Sequence, residues 1–296
     1  MAGNLIYLRR RIKSVKNTQK LTKAMKTVAA AKLRRATAEL KKSRPHRDKI
    51  TFLMQQTGAM VDLKLQPLLK TREQGSVLLV VVASDKGLCG AFNSQVLKQS
   101  ENYYRELIAR DEAVSLITVG TKASRYFSKR NLAVKTAHNG LINRLQFADA
   151  RSLAAELLNV YLNEEIKSVE FTFHEFVSAS RQQFTVRRLL PVAMEWPAAA
   201  EAEKEKNLEK TKYIIEPSAE AVFQALLPRF ITAAVYQILL QSMAAEQVSR
   251  MVAMDMATRN ANDMIRSLTQ LLNKMRQASI TKELLEIITA TEALNK

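Results

Sequence analysis

Apolar and small residues recur every three or four positions near the start of the chain: Ile12, Val15, Thr18, Thr22, Met25, Ala29, Leu33, Ala36 and Leu40. This spacing puts them on one stripe of an α-helix. Most are small, so a second helix can approach closely along a narrow seam like that of a coiled coil. Neither glycine nor proline occurs between Asn4 and Ser43. Pro45 predicts a kink or a new helix start, because proline cannot donate to the helix ladder and disfavours helix at Arg44. A helical pattern resumes at Ile50 and fades near Pro67. The other end mirrors the first. Residues 229–296 again lack glycine and proline, and Met264, Leu268, Leu271, Met275 and Ala278 follow a heptad seam. The helix is expected to begin after Pro217, with Pro228 bending its first part. At about 1.5 Å per residue, residues 229–294 would extend roughly 100 Å if continuous. That exceeds a compact domain, so the helix is expected to protrude or to serve as an axis. Each terminal stripe needs a partner, and the nearest candidate is the other.

The pattern changes in the middle. Residues 76–83 (SVLLVVVA) and 113–120 (AVSLITVG) are continuous apolar runs, as expected of strands buried on both faces. Helical stretches follow at 94–110 and 122–129, with a weaker strand near 133–136 and an amphipathic helix at 148–163. Strand and helix in alternation predict a parallel α/β sheet. Then Val169, Phe171 and Phe173 alternate with Glu170, Thr172 and His174, and Phe184 and Val186 alternate with Thr185 and Arg187. Joined by the SASR turn at 178–181, these read as an antiparallel hairpin with one wet face. Residues 198–212, rich in alanine and charge, read as a surface loop or mobile segment. The uncharged run from Phe230 to Ala245 is short for a membrane span and reads as buried helix.

Charge adds a second asymmetry. The net charge is +18, yet residues 1–50 alone hold 16 Lys and Arg against Glu39 and Asp48, a net of +14. A helix so cationic requires an anionic environment, which nucleic acid, anionic lipid or an acidic protein cavity could supply. Tyr7 is the only aromatic among those residues, so no stacking platform accompanies the charge, and no helix-turn-helix or zinc-finger pattern is present. Seven glycines in 296 residues, none after Gly140, favour helix. One cysteine, Cys89, excludes an internal disulfide and fits a reducing compartment. No signal peptide is visible.

No catalytic constellation assembles. A phosphate-binding G-x-x-x-x-G-K-[ST] loop is absent, and the turn after the first strand, SDKGLCGAFN, has only Gly87 and Gly90 where a dinucleotide fingerprint needs three glycines. Cys89 is either a nucleophile activated at a helix start or a small packed residue. Asp85 is either an acid–base group or a cap. Glu283 and Glu286 share a helix face but more commonly form ion pairs there. His46, His138 and His174 are scattered, with no metal-ligand spacing, so neither metal nor cofactor is expected.

Several stretches together resemble one family. The segments RRRIKSVKNTQKLTKAMKTVAAAKL (9–33), SDKGLCGAFN (84–93), YIIEP (213–217), SRMVAMDMATRNA (249–261) and RQASITKELLEI (276–287) are similar to the signature stretches of the γ subunit of bacterial F-type ATP synthases, in order across essentially the whole chain. The resemblance implies an α/β protein in which both terminal helices form a long antiparallel coiled coil carrying an inserted Rossmann-like domain. The segments are then 1–67, 68–212 and 213–296. It implies a rotor shaft without bond chemistry that couples proton flow through a membrane ring to ATP synthesis or hydrolysis on β subunits. The implied partners are the α and β subunits of the catalytic hexamer, the ε subunit and the c-type ring, with no nucleic acid, no small-molecule substrate and no homo-oligomer. The implied location is peripheral, on the cytoplasmic face of the inner (plasma) membrane. Arg276, Gln277 and Thr281 resemble positions that engage a β-subunit catch loop. Met25 and Arg250 resemble lever-facing positions on opposite helices. Tyr213 and Glu216 lie in the segment expected to touch ε and the ring. Asp85, Gly87 and Gly90 form the family-motif turn. Ala290 stands where the family commonly has glycine, so helix should persist further there, by about 1 kcal/mol of preference. The paired-cysteine insertion of chloroplast relatives is absent. The alternative reading is a basic helical nucleic-acid-binding protein, and a third is a nucleotide-dependent α/β enzyme.

Overall fold

A computed structural model describes residues 2–63, 66–178, 181–193 and 214–294. The elements are α1 (Ala2–Gly58), β1 (Ser76–Val82), α2 (Phe92–Ala109), β2 (Val114–Val119), α3 (Thr121–Ser128), β3 (Val134–His138), a short 3-10 turn (Ile142–Arg144), α4 (Phe147–Asn163), β4 (Ile166–Phe176), β5 (Gln182–Leu190) and α5 (Ala219–Leu294). They fall into two units. One comprises Met1–Ala30 and Arg250–Lys296; the other is Ala31–Ser249.

The larger unit is built on a five-stranded sheet of order β3-β2-β1-β4-β5. β1 pairs in parallel with both β2 and β4, β2 pairs in parallel with β3, and only β5 runs antiparallel, against β4. One face carries Leu78, Val80, Val82, Phe171 and Phe173, sealed by Leu153, Leu157 and Tyr161 of α4, Ile50 and Met54 of α1, and Ile231, Val235, Ile238 and Leu239 of α5. The opposite face carries Leu79, Val81 and Ala83 under Val96 and Leu97 of α2 and Phe127 of α3. Burial on both sides explains why β1 reads as an unbroken apolar run. The stretch from Phe230 to Ala245 is buried helix, as its composition suggests.

Three expectations need correction. First, no new helix starts at Pro45: α1 continues through it. Pro45 and Lys41 are both exposed, so water can satisfy the carbonyl that loses its partner. The helix then ends at Gly58, before the predicted fade. α5 likewise runs through Pro228. Second, the hairpin has no wet face on β4: Glu170, Thr172 and His174 are all buried. Helix α2 covers them and supplies partners. Ser100 donates to Thr172 Oγ1 at 2.9 Å, and Tyr103 donates to Glu170 at 2.5 Å. Glu170 also accepts from Ser168 and from Arg188 of β5, both at 3.1 Å. Two residues of the SASR turn, and the predicted loop at 198–212, lie outside the described residues. Third, the paired seam of α5 is displaced by one residue at three of its five predicted positions, Met264, Leu271 and Ala278.

Gly120, between β2 and α3, has φ +100°, and a Cβ there would lie 2.1 Å from the Ala83 carbonyl oxygen. Only glycine lets these two strand ends meet so closely.

In the smaller unit the two helices pair antiparallel. Thr22 and Thr258 share a hydrogen bond at 2.8 Å, Gln19 donates to Asn262, and Lys26 donates to Asp255 at 2.5 Å.

Candidate functional site

The helix pair is the part of the molecule least explained by its own packing. Thr22 opposite Thr258 fixes the register. Stepping outward by heptads, that register puts Val15 opposite Ile265, Ile12 opposite Leu268, Leu8 opposite Leu272 and Leu5 opposite Met275. Each of these side chains is buried or half-buried. The predicted α1 stripe is therefore the seam, except that Gln19 replaces the exposed Thr18. On α5 the seam runs through Met254, Thr258, Ala261, Ile265, Leu268, Leu272, Met275 and Ser279. Of the five predicted positions, Leu268 and Met275 belong to it. Met264, Leu271 and Ala278 are exposed, one residue short of Ile265, Leu272 and Ser279.

Between the apolar layers and Ala29 the seam carries polar pairs alongside Met25, Met254 and Ala261. The Lys26 ammonium holds the Asp255 carboxyl below the usual carboxylate range, and Arg259, 2.8 Å away, adds to the effect. Past Ser279, every side chain from Ile280 to Thr291 is exposed. Ile280, Leu284, Leu285, Ile287 and Ile288 are among them. The sequence pattern missed this group as a surface, because paired leucines and isoleucines wrap the helix and leave no single stripe. Large exposed apolar groups of this kind mark an interaction surface. Helix persists through Ala290 to Leu294, as the alanine there suggests.

The resemblance-based residues are placed as follows. Arg276, Gln277 and Thr281 are exposed on α5 around the point where pairing ends, and Thr281 donates its hydroxyl to the Gln277 carbonyl at 3.0 Å. Met25 and Arg250 are half-buried on opposite helices. The register sets Met25 level with Asp255, five residues from Arg250. Glu216 is exposed, and Tyr213 lies outside the described residues. Glu283 accepts from Ser279 at 3.2 Å, and Glu286 pairs with Lys282 at 3.5 Å.

Asp85 is a structural hub at the C-terminal ends of three parallel strands. Its Oδ1 accepts from Thr121 N (3.0 Å), Thr121 Oγ1 (3.1 Å) and Gly140 N (2.7 Å), and its Oδ2 accepts from Asn143 N (3.1 Å). This is where an open α/β sheet usually receives a ligand. Here the carboxylate consumes the backbone donors that an anion would use. Gly90 supplies a positive φ of 58° in the same turn, whereas a methyl group added at Gly87 would meet only the Lys122 side chain. Cys89 is buried and accepts from Asn93 Nδ2 at 3.1 Å, so it is a packed residue. His138 meets Glu156 at 2.9 Å, and His46 is exposed. Among the described residues, no group of His, Cys, Asp and Glu is arranged to hold a metal ion.

Comparison with known proteins agrees with this architecture. The family model described as ATP synthase matches residues 4–294. The ATP synthase gamma chain of Chlorobaculum parvum is 40% identical over 293 residues, covering 98% of both chains. That of Desulforamulus reducens is 40% identical over 287 residues, 97% of this chain and 98% of its own. Among solved structures, a chain of the Tetrahymena thermophila mitochondrial ATP synthase central stalk and c-ring matches at TM-score 0.58 with 27% identity, covering 80% of this chain and 99% of its own. A chain from the Euglena gracilis mitochondrial ATP synthase OSCP/F1/c-ring structure shares the fold at TM-score 0.67 and 18% identity, covering 99% of this chain and 95% of its own. With its seam, its unpaired end and identity spread along its full length, the chain belongs to the ATP synthase gamma-chain family.

Proposed function

We propose that this central-stalk subunit, a non-catalytic part of the membrane-associated ATP synthase, turns inside a hexamer of α and β subunits and carries torque between a membrane c-type ring and the β-subunit catalytic sites. The observation behind this reading is the helix pair with a bare, apolar end: a surface that is left unburied by its own fold and is carried on a glycine-free helix. A rotating element acts by differential contact. Each β subunit meets a different face of the pair, and the face it meets biases its conformational equilibrium. The +14 charge of residues 1–50 suits an acidic protein sleeve. In this reading the chain divides by role into segments 1–67, 68–212 and 213–296, it couples proton flow to ATP synthesis or hydrolysis, and it works peripherally on the cytoplasmic face of the inner (plasma) membrane.

Arg276, Gln277 and Thr281 then form the catch contacts with β, Met25 and Arg250 the lever contacts, and Tyr213 and Glu216 the contacts with ε and the ring. Catch contacts must break and reform on every turn. Hydrogen bonds of about 1 kcal/mol net, somewhat more when charged, suit that requirement. Arg276→Ala and Gln277→Ala in the assembled complex are expected to lower ATP synthesis while the isolated chain keeps its stability within about 0.5 kcal/mol, as for exposed sites generally. Unchanged synthesis would remove their assigned role.

A further inference from the structure

Helix α5 carries two apolar seams that share Leu268 and Met275. One continues through Ile265, Leu272 and Ser279 and is half-buried against α1. The other continues through Met264, Leu271 and Ala278 and faces outward, with Met264 and Leu271 about half-exposed. Both have heptad spacing, and their large residues are matched in size. Successive helical residues differ by about 100°, so turning α5 by about half that angle exchanges one seam for the other. The four apolar layers, from Leu5–Met275 to Val15–Ile265, therefore discriminate poorly between the two faces.

We propose that the polar contacts in the seam select the face: Gln19 with Asn262, Thr22 with Thr258, and Lys26 with Asp255. Hydrogen bonds are directional where apolar contact is not. Thr22 and Thr258 meet at 2.8 Å across the seam centre, and Thr22 is 9% exposed. Asp255 and Asn262 stand seven residues apart on one flank of α5, so each is reached from the same side by Lys26 and Gln19. A turn toward the Met264–Leu271 face withdraws that flank and breaks the three contacts together. Polar residues at core positions of paired helices set register and partner face at a cost in stability. Here the unneeded seam remains apolar and outward, and the polar layers hold it there.

The test is disulfide formation in the full-length chain with Cys89→Ser. Leu8→Cys is combined either with Leu272→Cys, its partner in the observed seam, or with Leu271→Cys, on the outward one. With the polar layers intact, the 8–272 bond is expected to form at least tenfold faster than the 8–271 bond. With Gln19→Leu, Thr22→Val, Lys26→Met and Thr258→Val together, the ratio is expected to fall below threefold. Thr22→Val with Thr258→Val, nearly unchanged in shape, gives an intermediate ratio and covers the case in which the fourfold variant does not fold. Lys26→Asp alone is expected to lower the ratio, and adding Asp255→Lys to restore it. A ratio that stays tenfold in the apolar variants, or that the charge exchange fails to restore, overturns the proposal.

Discussion

Two stretches of α5 have similar aliphatic content and opposite surroundings. Ile238, Leu239 and Leu240 are at most 1% exposed, whereas Leu284, Leu285, Ile287 and Ile288 are 55–62% exposed. The first stretch closes the sheet's larger core. The second is left to whatever surrounds the helix end. Hydrophobicity in the sequence therefore does not say whose core a residue completes. That depends on whether the chain itself supplies the other wall.

Substitution should separate the two stretches clearly. Leu239→Ala is expected to cost about 3 kcal/mol in urea unfolding, from lost transfer energy and an unfilled cavity. A loss below about 1 kcal/mol would mean that the contact with the sheet is looser than its burial implies. The polar side of the same sheet gives the next effect. Glu170→Ala strands Tyr103, Ser168 and Arg188 and is expected to cost about 2 kcal/mol, as for buried groups deprived of a partner. By contrast Glu286→Ala, whose Lys282 ion pair is exposed, should cost no more than about 0.5 kcal/mol.

A third effect depends on pH. His174 is buried edge-on to Phe92 at 5.3 Å, neither ring nitrogen has a hydrogen-bond partner among the described residues, and burial pushes its pKa below 6.5. The unfolded chain thus takes up a proton near pH 6.5 that the folded chain refuses. The contribution is complete above that pH and is lost as pH falls toward the folded value, with a slope of at most about 1.4 kcal/mol per pH unit. His174→Phe should flatten that part of the stability profile below about pH 6.5; an unchanged slope would assign it to other groups. Smallest of all, Leu284→Ala should leave unfolding within about 0.5 kcal/mol of the parent. If it destabilises the isolated chain as much as Leu239→Ala, the bare end has a partner within its own fold, and the comparison fails.

The same contrast explains what could be read in advance. β1 and β2 were legible because burial on both faces demands apolar residues throughout. β4 was misread because Glu170, Thr172 and His174 look solvated by composition, and only α2, reaching back from residues 92–109, reveals that they are covered. The α1 stripe was legible because its neighbours are charged. The α5 seam slipped by one residue because Met264 and Leu271 are as apolar as Ile265 and Leu272, and the deciding hydrogen bonds join residues some 240 positions apart in sequence. Asp85 could be recognised as a turn residue, but its four donors come from two separate connections, β2–α3 and β3–α4, that no local spacing joins to it. Arg276, Gln277 and Thr281 emerge only from resemblance, since an exposed polar residue carries no signal of its own.

Along the second half of α5, Thr269, Thr281, Thr289 and Thr291 each donate their hydroxyl to a carbonyl one turn back, at 2.6–3.0 Å. Their hydrogens are spent on their own helix. A surrounding protein therefore meets a methyl group and an oxygen lone pair at each of these positions. It must bring the hydrogen itself, from an amide, a hydroxyl or a cation, and an ionised carboxylate placed there finds nothing to accept. At these four positions a segment counted as polar by its residues thus offers no donor, and the outward donors are left to Gln270, Asn273, Lys274, Arg276, Gln277 and Lys282.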